Sequence, residues 1–150
     1  MKKLILILVS LFIFASACAE DYNELYVTAA KLNGRDKPSK RAAIEARFDY
    51  GDALKPTGNW SKDYKWVEVY GGESGSVWCS IQYITEITES KTYINPDRIK
   101  IKIRKSPVKG TVVAYLKYNR KVEITQIVQG WGKCNKGWID LSYLEEYDDK

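Results

Sequence analysis

One stretch of this chain is written twice, and that repetition limits the fold more than any other feature. LNGRDKP at 32–38 returns as IKIRKSP at 101–107. In each copy an apolar residue leads, a basic residue follows three positions later (Arg35, Arg104), and a proline follows three after that (Pro38, Pro107). Proline cannot donate to a β-ladder and fixes φ near about −65°, so each copy reads as a short strand closed by a turn. Two further landmarks recur in the same order, FDYGDAL (48–54) with LKYNRKV (116–122), and VWCSIQYI (77–84) with GWIDLSYL (137–144). Leu32 and Ile101 are 69 residues apart, whereas Trp78 and Trp138 are 60 apart, so the second copy keeps the plan and shortens its loops. A repeat of this length is a whole small domain rather than one turn of a solenoid.

The boundaries follow from the landmarks: 1–19 as an export leader, 22–88 as the first unit, 91–146 as the second, and 147–150 as a polar tail. Residues 1–19 join Lys2 and Lys3 to an apolar run at 4–15 and then small residues, too short to span a bilayer, which takes about 20. Ala17 and Ala19 suit cleavage after Ala19 and a soluble exported product. Ala15-Ser16-Ala17-Cys18 also resembles a lipobox, which would lipidate Cys18 and provide the one route to a membrane. Units of about 60 residues lie near the lower limit for independent folding. The linker at 85–92 has neither Gly nor Pro, so the units are expected to sit close together.

Within the first unit, strands are expected at 26–28, 44–48, 54–57, 66–69 and 77–79, with Gly51 taking positive φ in the turn at 49–52. In the second, Ile99, Ile101 and Ile103 alternate with Arg98, Lys100, Lys102 and Arg104, the pattern of a half-buried strand. Asn119 takes the place of Gly51, since it too tolerates the left-handed region. Further strands are expected around Val122, Ile124 and Ile127, at 131–134 and at 138–140, while 145–150 has nothing to pack. The whole reads as all-β, two small five-stranded barrels in tandem.

Charge is divided unevenly. Residues 20–88 hold 9 Lys+Arg against 11 Asp+Glu, net −2, and 90–150 hold 13 against 7, net +6. Export argues against nucleic acid as a partner and leaves envelope polymers, lipid head groups or acidic proteins. The chain has no histidine, which removes Cys-His and Ser-His catalysis and histidine-ligated zinc together. No pair of carboxylates has a spacing suited to acid–base work, so no catalytic residue, metal or cofactor is expected. Cys79 and Cys134 fall where Ile139 and Val69 stand in the other copy, and are read as buried free thiols rather than a bridge.

These residues together resemble a family. YVTAAKLNGRDKPS, a glycine turn, WVEV and W-x-S-x-x-Y-I, followed by IKIRKSP, a YN turn, GWGKC and GWIDLSYL, are similar to tandem bacterial Src-homology-3-like domains. The resemblance covers nearly all of 22–146 and implies small five-stranded barrels on exported proteins that bind peptidoglycan or peptides. Gly34 in place of an apolar residue, Val77 in place of glycine and the long 70–76 loop depart from the pattern.

Five Trp and eleven Tyr exceed what two small cores need. Tyr50, Trp60, Tyr64 and Tyr118 lie near loops and are candidates for a shallow ligand groove, where rings meet sugars or extended peptides. For Trp60 and Tyr64 a structural role is an equal alternative, and Trp66, Trp78, Trp131, Trp138, Tyr83 and Tyr143 are read as covers for the barrel ends. Lys100, Lys102 and Lys105 form a candidate basic surface, though outward lysines also simply block edge pairing. Arg35 and Arg104 are read as clamps on local carbonyls. The expected partner is therefore peptidoglycan or, alternatively, another envelope protein served by a structural adaptor.

Overall fold

The duplication is literal in the order of the strands. Described over residues 22–149 in a computed structural model, the chain is all-β apart from two short 3-10 turns. The leader at 1–19 and Cys18 lie outside the described residues. The first unit holds β1 (Leu25–Val27), β2 (Lys31–Arg35), β3 (Ile44–Asp49), β4 (Ala53–Leu54), β5 (Pro56–Trp60), β6 (Trp66–Tyr70), β7 (Ser76–Ser80) and β8 (Ile84–Thr85). The second holds β9 (Lys91–Ile94), β10 (Ile101–Arg104), β11 (Val112–Leu116), β12 (Lys121–Ile124), β13 (Gln126–Val128), β14 (Trp131–Cys134), β15 (Gly137–Asp140) and β16 (Glu145–Glu146).

Each unit pairs these segments identically. A five-stranded sheet runs β3-β2-β7-β6-β5 in the first and β11-β10-β15-β14-β13 in the second, and a three-stranded sheet runs β4-β1-β8 and β12-β9-β16. Every strand of the second unit is thus the strand eight earlier in the first. Short breaks and the 3-10 turns at Ile81–Tyr83 and Leu141–Tyr143 divide five bent passes of the chain into eight segments, which gives the two five-stranded barrels. Even the irregularities repeat. The ladder slips between Gly34 and Arg35 and again between Ile103 and Arg104, a β-bulge that bends the strand at the same place in both units.

Both turn expectations hold, with Gly51 at φ 81° and Asn119 at φ 56°. Cys79 and Cys134 are free and buried. Burial in an apolar interior pushes the Cys79 thiol up to about 12, which makes it inert as a nucleophile at neutral pH.

Two details differ from the sequence reading. Ile101 and Ile103 are buried, each contributing about 1.5–3 kcal/mol, but Ile99 is 54% exposed and the strand begins only at Ile101. The buried Asn95 explains this: its Nδ2 donates to the carbonyls of Ile99 (2.8 Å) and Leu116 (3.1 Å), holding 95–99 as a turn before the ladder starts. The acidic end also packs. Glu145 and Glu146 pair with Ile94 and Tyr93, the Tyr147 N–H donates to the Thr92 carbonyl (2.8 Å), and Lys121 sits 3.6 Å above the Tyr147 ring. The repeat demands an eighth strand there, and side-chain polarity does not prevent an edge strand from pairing.

The cores remain separate but touch. One cluster centres on Leu25, Val67, Val69 and Ile84, the other on Ile103, Ile124 and Ile139, and Val128 and Trp138 of the second unit pack into the first cluster. The segment after β7 lies along β13 and covers it. Gln126 Nε2 donates to the carbonyl of Ile84 (2.6 Å) and to that of Ile81, Ile127 N–H donates to Thr85 Oγ1 (3.1 Å), and Glu86 N–H donates to the Ile127 carbonyl (2.7 Å). Hydrogen bonds from buried groups on both sides hold the units against each other.

Candidate functional site

Because the units are copies, any surface feature that appears in both at equivalent positions stands out from one that appears in only one. A cavity of about 390 Å³ in the first unit is lined by Leu32, Arg35, Trp66, Ser80 and Tyr83. A cavity of about 380 Å³ in the second is lined by Ile101, Arg104, Trp131, Asp140 and Tyr143. These are the same positions: the signature strand, the first residue of β6 or β14, the last residue of β7 or β15, and the end of the 3-10 turn.

One loop beside each pocket is held by the same device. Arg35 Nη1 donates to the Ala42 carbonyl (2.7 Å) and Arg104 Nη1 to the Gly110 carbonyl (3.0 Å), so the expected structural role of both arginines holds. In the second loop Val108 adopts φ 63°, costly for a β-branched residue, and lines the pocket there.

The tyrosines are what the sequence reading misassigned. Tyr83 is 44% exposed and Tyr143 51%, so they stand at the pocket walls and do not seal the barrel ends. The available signal was their matched position at the end of W-x-S-x-x-Y and W-x-D-x-x-Y segments, where a residue in a one-turn 3-10 element has little core to reach. Trp66 and Trp138 are buried, in keeping with their structural reading, yet each also forms part of a cavity wall.

Of the four candidate aromatics, the structure brings two together. Trp60 and Tyr64 have ring centroids 5.7 Å apart, tilted by 55°, with Trp60 also packed on the first core. Lys109 of the second unit reaches across to lie 5.6 Å from the Tyr64 ring centroid. Tyr50, in the β3–β4 turn, is 74% exposed, and Tyr118, in the equivalent β11–β12 turn, lies beside Arg98 at 5.8 Å. Neither makes a ring contact with Trp60 or Tyr64 among the described residues. The basic candidates also separate: Lys100 and Lys102 line the second pocket, whereas Lys105 lines a groove between the units.

That groove, about 850 Å³, runs beside Trp66 and Trp138 and shares Lys40, Trp66 and Ser80 with the first pocket. Sequence reading had no means of finding it, since it exists only where the two units meet.

The carboxylates offer binding and structure. Glu68 is partly buried, which raises its pKa, but donors from Ser76 (2.6 Å), Asn59 (2.7 Å) and Thr57 (2.8 Å) together outweigh that and leave it below the usual carboxylate range. A carboxylate held ionised by three donors ties β5, β6 and β7 together and is poorly suited to donate a proton. Among the described residues no group of three His, Cys, Asp or Glu side chains is placed to hold a metal ion.

No protein-family model matches the chain, and comparison with curated proteins finds no match. Among solved structures it is similar to NlpC1 from Trichomonas vaginalis, at 18% identity and a TM-score of 0.34, covering 84% of this chain and 46% of that one. It is similar also to NlpC2 from the same organism, at 16% identity and a TM-score of 0.35, covering 84% of this chain and 48% of that one. The chain spans less than half the length of either protein.

Proposed function

We propose that this chain is a non-catalytic, exported binding module of the tandem bacterial Src-homology-3-like kind, which holds to the cell envelope through peptidoglycan or an envelope peptide. The observation that carries this reading is the recurrence of one pocket at equivalent positions in both units, each with an outward tyrosine that the core does not require. A tyrosine face and polar tip suit a sugar ring or an extended backbone, and pockets of this size fall within the common ligand range of about 300–1,000 Å³. Two pockets on units fixed to one another favour a repeating ligand, because the second contact becomes intramolecular and raises avidity by about 10²–10⁴. The module works at the membrane surface if Cys18 is lipidated, and free of it otherwise.

Retention on purified peptidoglycan tests this. Tyr83→Ala and Tyr143→Ala are each expected to cut retention by about tenfold, and the double variant to abolish it, at unchanged thermal stability. Retention of the double variant at the level of the native chain contradicts the reading, as does release of soluble fragments from the polymer, which would indicate an enzyme.

A second reading, an adaptor for another envelope protein, draws on β11. This edge strand presents Val112, Val113 and Tyr115 to solvent at 37%, 50% and 52% exposure, with no charged residue between them. Its counterpart β3 carries Glu45, Arg47 and Asp49, the usual protection of a sheet edge. Recovery of one specific protein with no retention on peptidoglycan favours this alternative, through strand addition at β11.

A further inference from the structure

We infer that the groove between the two units is a binding site for a linear polymer of tetrahedral oxyanions, phosphate or sulfate esters, gripped by Lys40 and Lys65 from the first unit and Lys105 and Lys133 from the second. The site adjoins the first pocket but does not depend on what that pocket binds.

Charge placement carries the inference. Residues 20–88 are net −2 and hold 11 acidic residues, yet Asp63 is the only one of them in the groove wall. Its carboxylate is turned into its own loop, accepting from Ser61 Oγ (2.6 Å) and the Lys65 N–H (3.1 Å). An acidic unit therefore turns a basic face towards its neighbour. Lys31, Lys91 and Lys121 elsewhere are paired with Asp49, Glu146 and Asp149, whereas none of the four groove lysines has an acidic partner among the described residues. Lys133 lies 5.9 Å from the Trp138 ring centroid, a contact that leaves its charge uncompensated, and four ammonium groups without a carboxylate partner in one concavity raise the local concentration of anions.

The free cations of this groove are lysines. The planar fork that grips carboxylate or phosphate bidentately belongs to arginine, and Arg35 and Arg104, whose loops border the groove, already donate to the carbonyls of Ala42 and Gly110. Lysines act as point charges that suit phosphate or sulfate oxygens, and the Ser39 and Ser106 hydroxyls lie in the same walls. The groove's two lysine pairs come from different units, so a polymer that spans both units engages all four. Because Gln126 and Glu86 lock the units together, the spacing of the pairs is set before the ligand arrives.

The test is binding of the full chain to poly(glycerol phosphate) and to dextran sulfate, with polyglutamate and orthophosphate as comparisons. The logarithm of the affinity for either ester polymer should fall with the logarithm of salt at a slope of about −3, as expected for roughly four cationic contacts. K40E/K65E and K105E/K133E should each weaken binding by about tenfold or more, while K55E/K62E, an equal charge change at exposed lysines outside the groove, should alter it by less than about twofold. Tryptophan fluorescence confirms that each variant is folded. The stronger of the two ester polymers identifies phosphate or sulfate as the source. Equal loss in K55E/K62E, equal binding of polyglutamate, or no binding of either ester polymer overturns the proposal. The Tyr83→Ala/Tyr143→Ala variant should still bind the polymer, so failure here and failure of the pocket reading are separable.

Discussion

Gly34→Ile alone and Val77→Gly alone are each expected to destabilise the first unit severely, and the two together to recover most of the loss. A Cβ built on Gly34 would lie 2.5 Å from Val77 Cγ2 and 3.1 Å from Phe48 Cε2, and Val77 is fully buried. Overpacking of that kind costs about 3 kcal/mol or more, and stripping Val77 to glycine leaves a cavity and a floppier strand at a similar cost. A unit of this size has little stability to spare. In the double variant the isoleucine fills the space the valine leaves, so the two losses should fall short of additive by about 2–3 kcal/mol in urea unfolding followed by tryptophan fluorescence. The second unit already holds that arrangement. Ile103 stands at the Gly34 position and Gly137 at the Val77 position, with a Cβ on Gly137 lying 3.3 Å from Ile103 Cγ2. The two differences between the units, Gly34 for Ile103 and Val77 for Gly137, are therefore one compensated exchange. The reciprocal swap, Ile103→Gly with Gly137→Val, should not be rescued, because the Gly137 backbone is at φ 153° and its Cβ would meet the Arg104 carbonyl oxygen at 2.3 Å. Additive losses in the first unit would show that the two sites do not share one space.

Gln126→Leu should loosen the two units from each other. The side chain keeps nearly the same volume but no longer donates to the Ile81 and Ile84 carbonyls, and buried acceptors left bare cost about 1–3 kcal/mol each. A total of about 2–4 kcal/mol is expected, with the Ile127 and Glu86 amides exchanging faster, since both belong to the same seam. Gln82→Leu, at an exposed glutamine nearby, should leave stability and exchange unchanged. Unaltered exchange at Ile127 in the Gln126 variant would mean that the seam does not rest on this side chain.

Most of the fold was legible because the repeat supplied two readings of each element. Arg35 and Arg104, the Gly51 and Asn119 turns, and the buried thiols all followed from comparing copies. Ile99 did not, because its exposure depends on a hydrogen bond from Asn95, and alternation carries no trace of such local competition. The acidic strand β16 was lost to the assumption that polar residues do not pair, when backbone groups alone suffice at a sheet edge. The candidate site was less legible. Tyr83 and Tyr143 are visible as a matched pair but read as covers for the barrel ends, since sequence gives a residue's type and not the direction of its ring. Lys40 and Lys65 of the first unit meet Lys105 and Lys133 of the second only through the packing of one unit on the other.

The central claim is that one pocket occurs twice and binds twice. Titrating a soluble peptidoglycan fragment while following the indole N–H signals of Trp66 and Trp131 tests it most directly, since Trp66 lines the first pocket and Trp131 the second, and a K105E/K133E background separates the first pocket from the groove that Trp66 also lines. Both signals should move over the same range of fragment concentration. Movement at one alone, or at neither while another tryptophan responds, would contradict it.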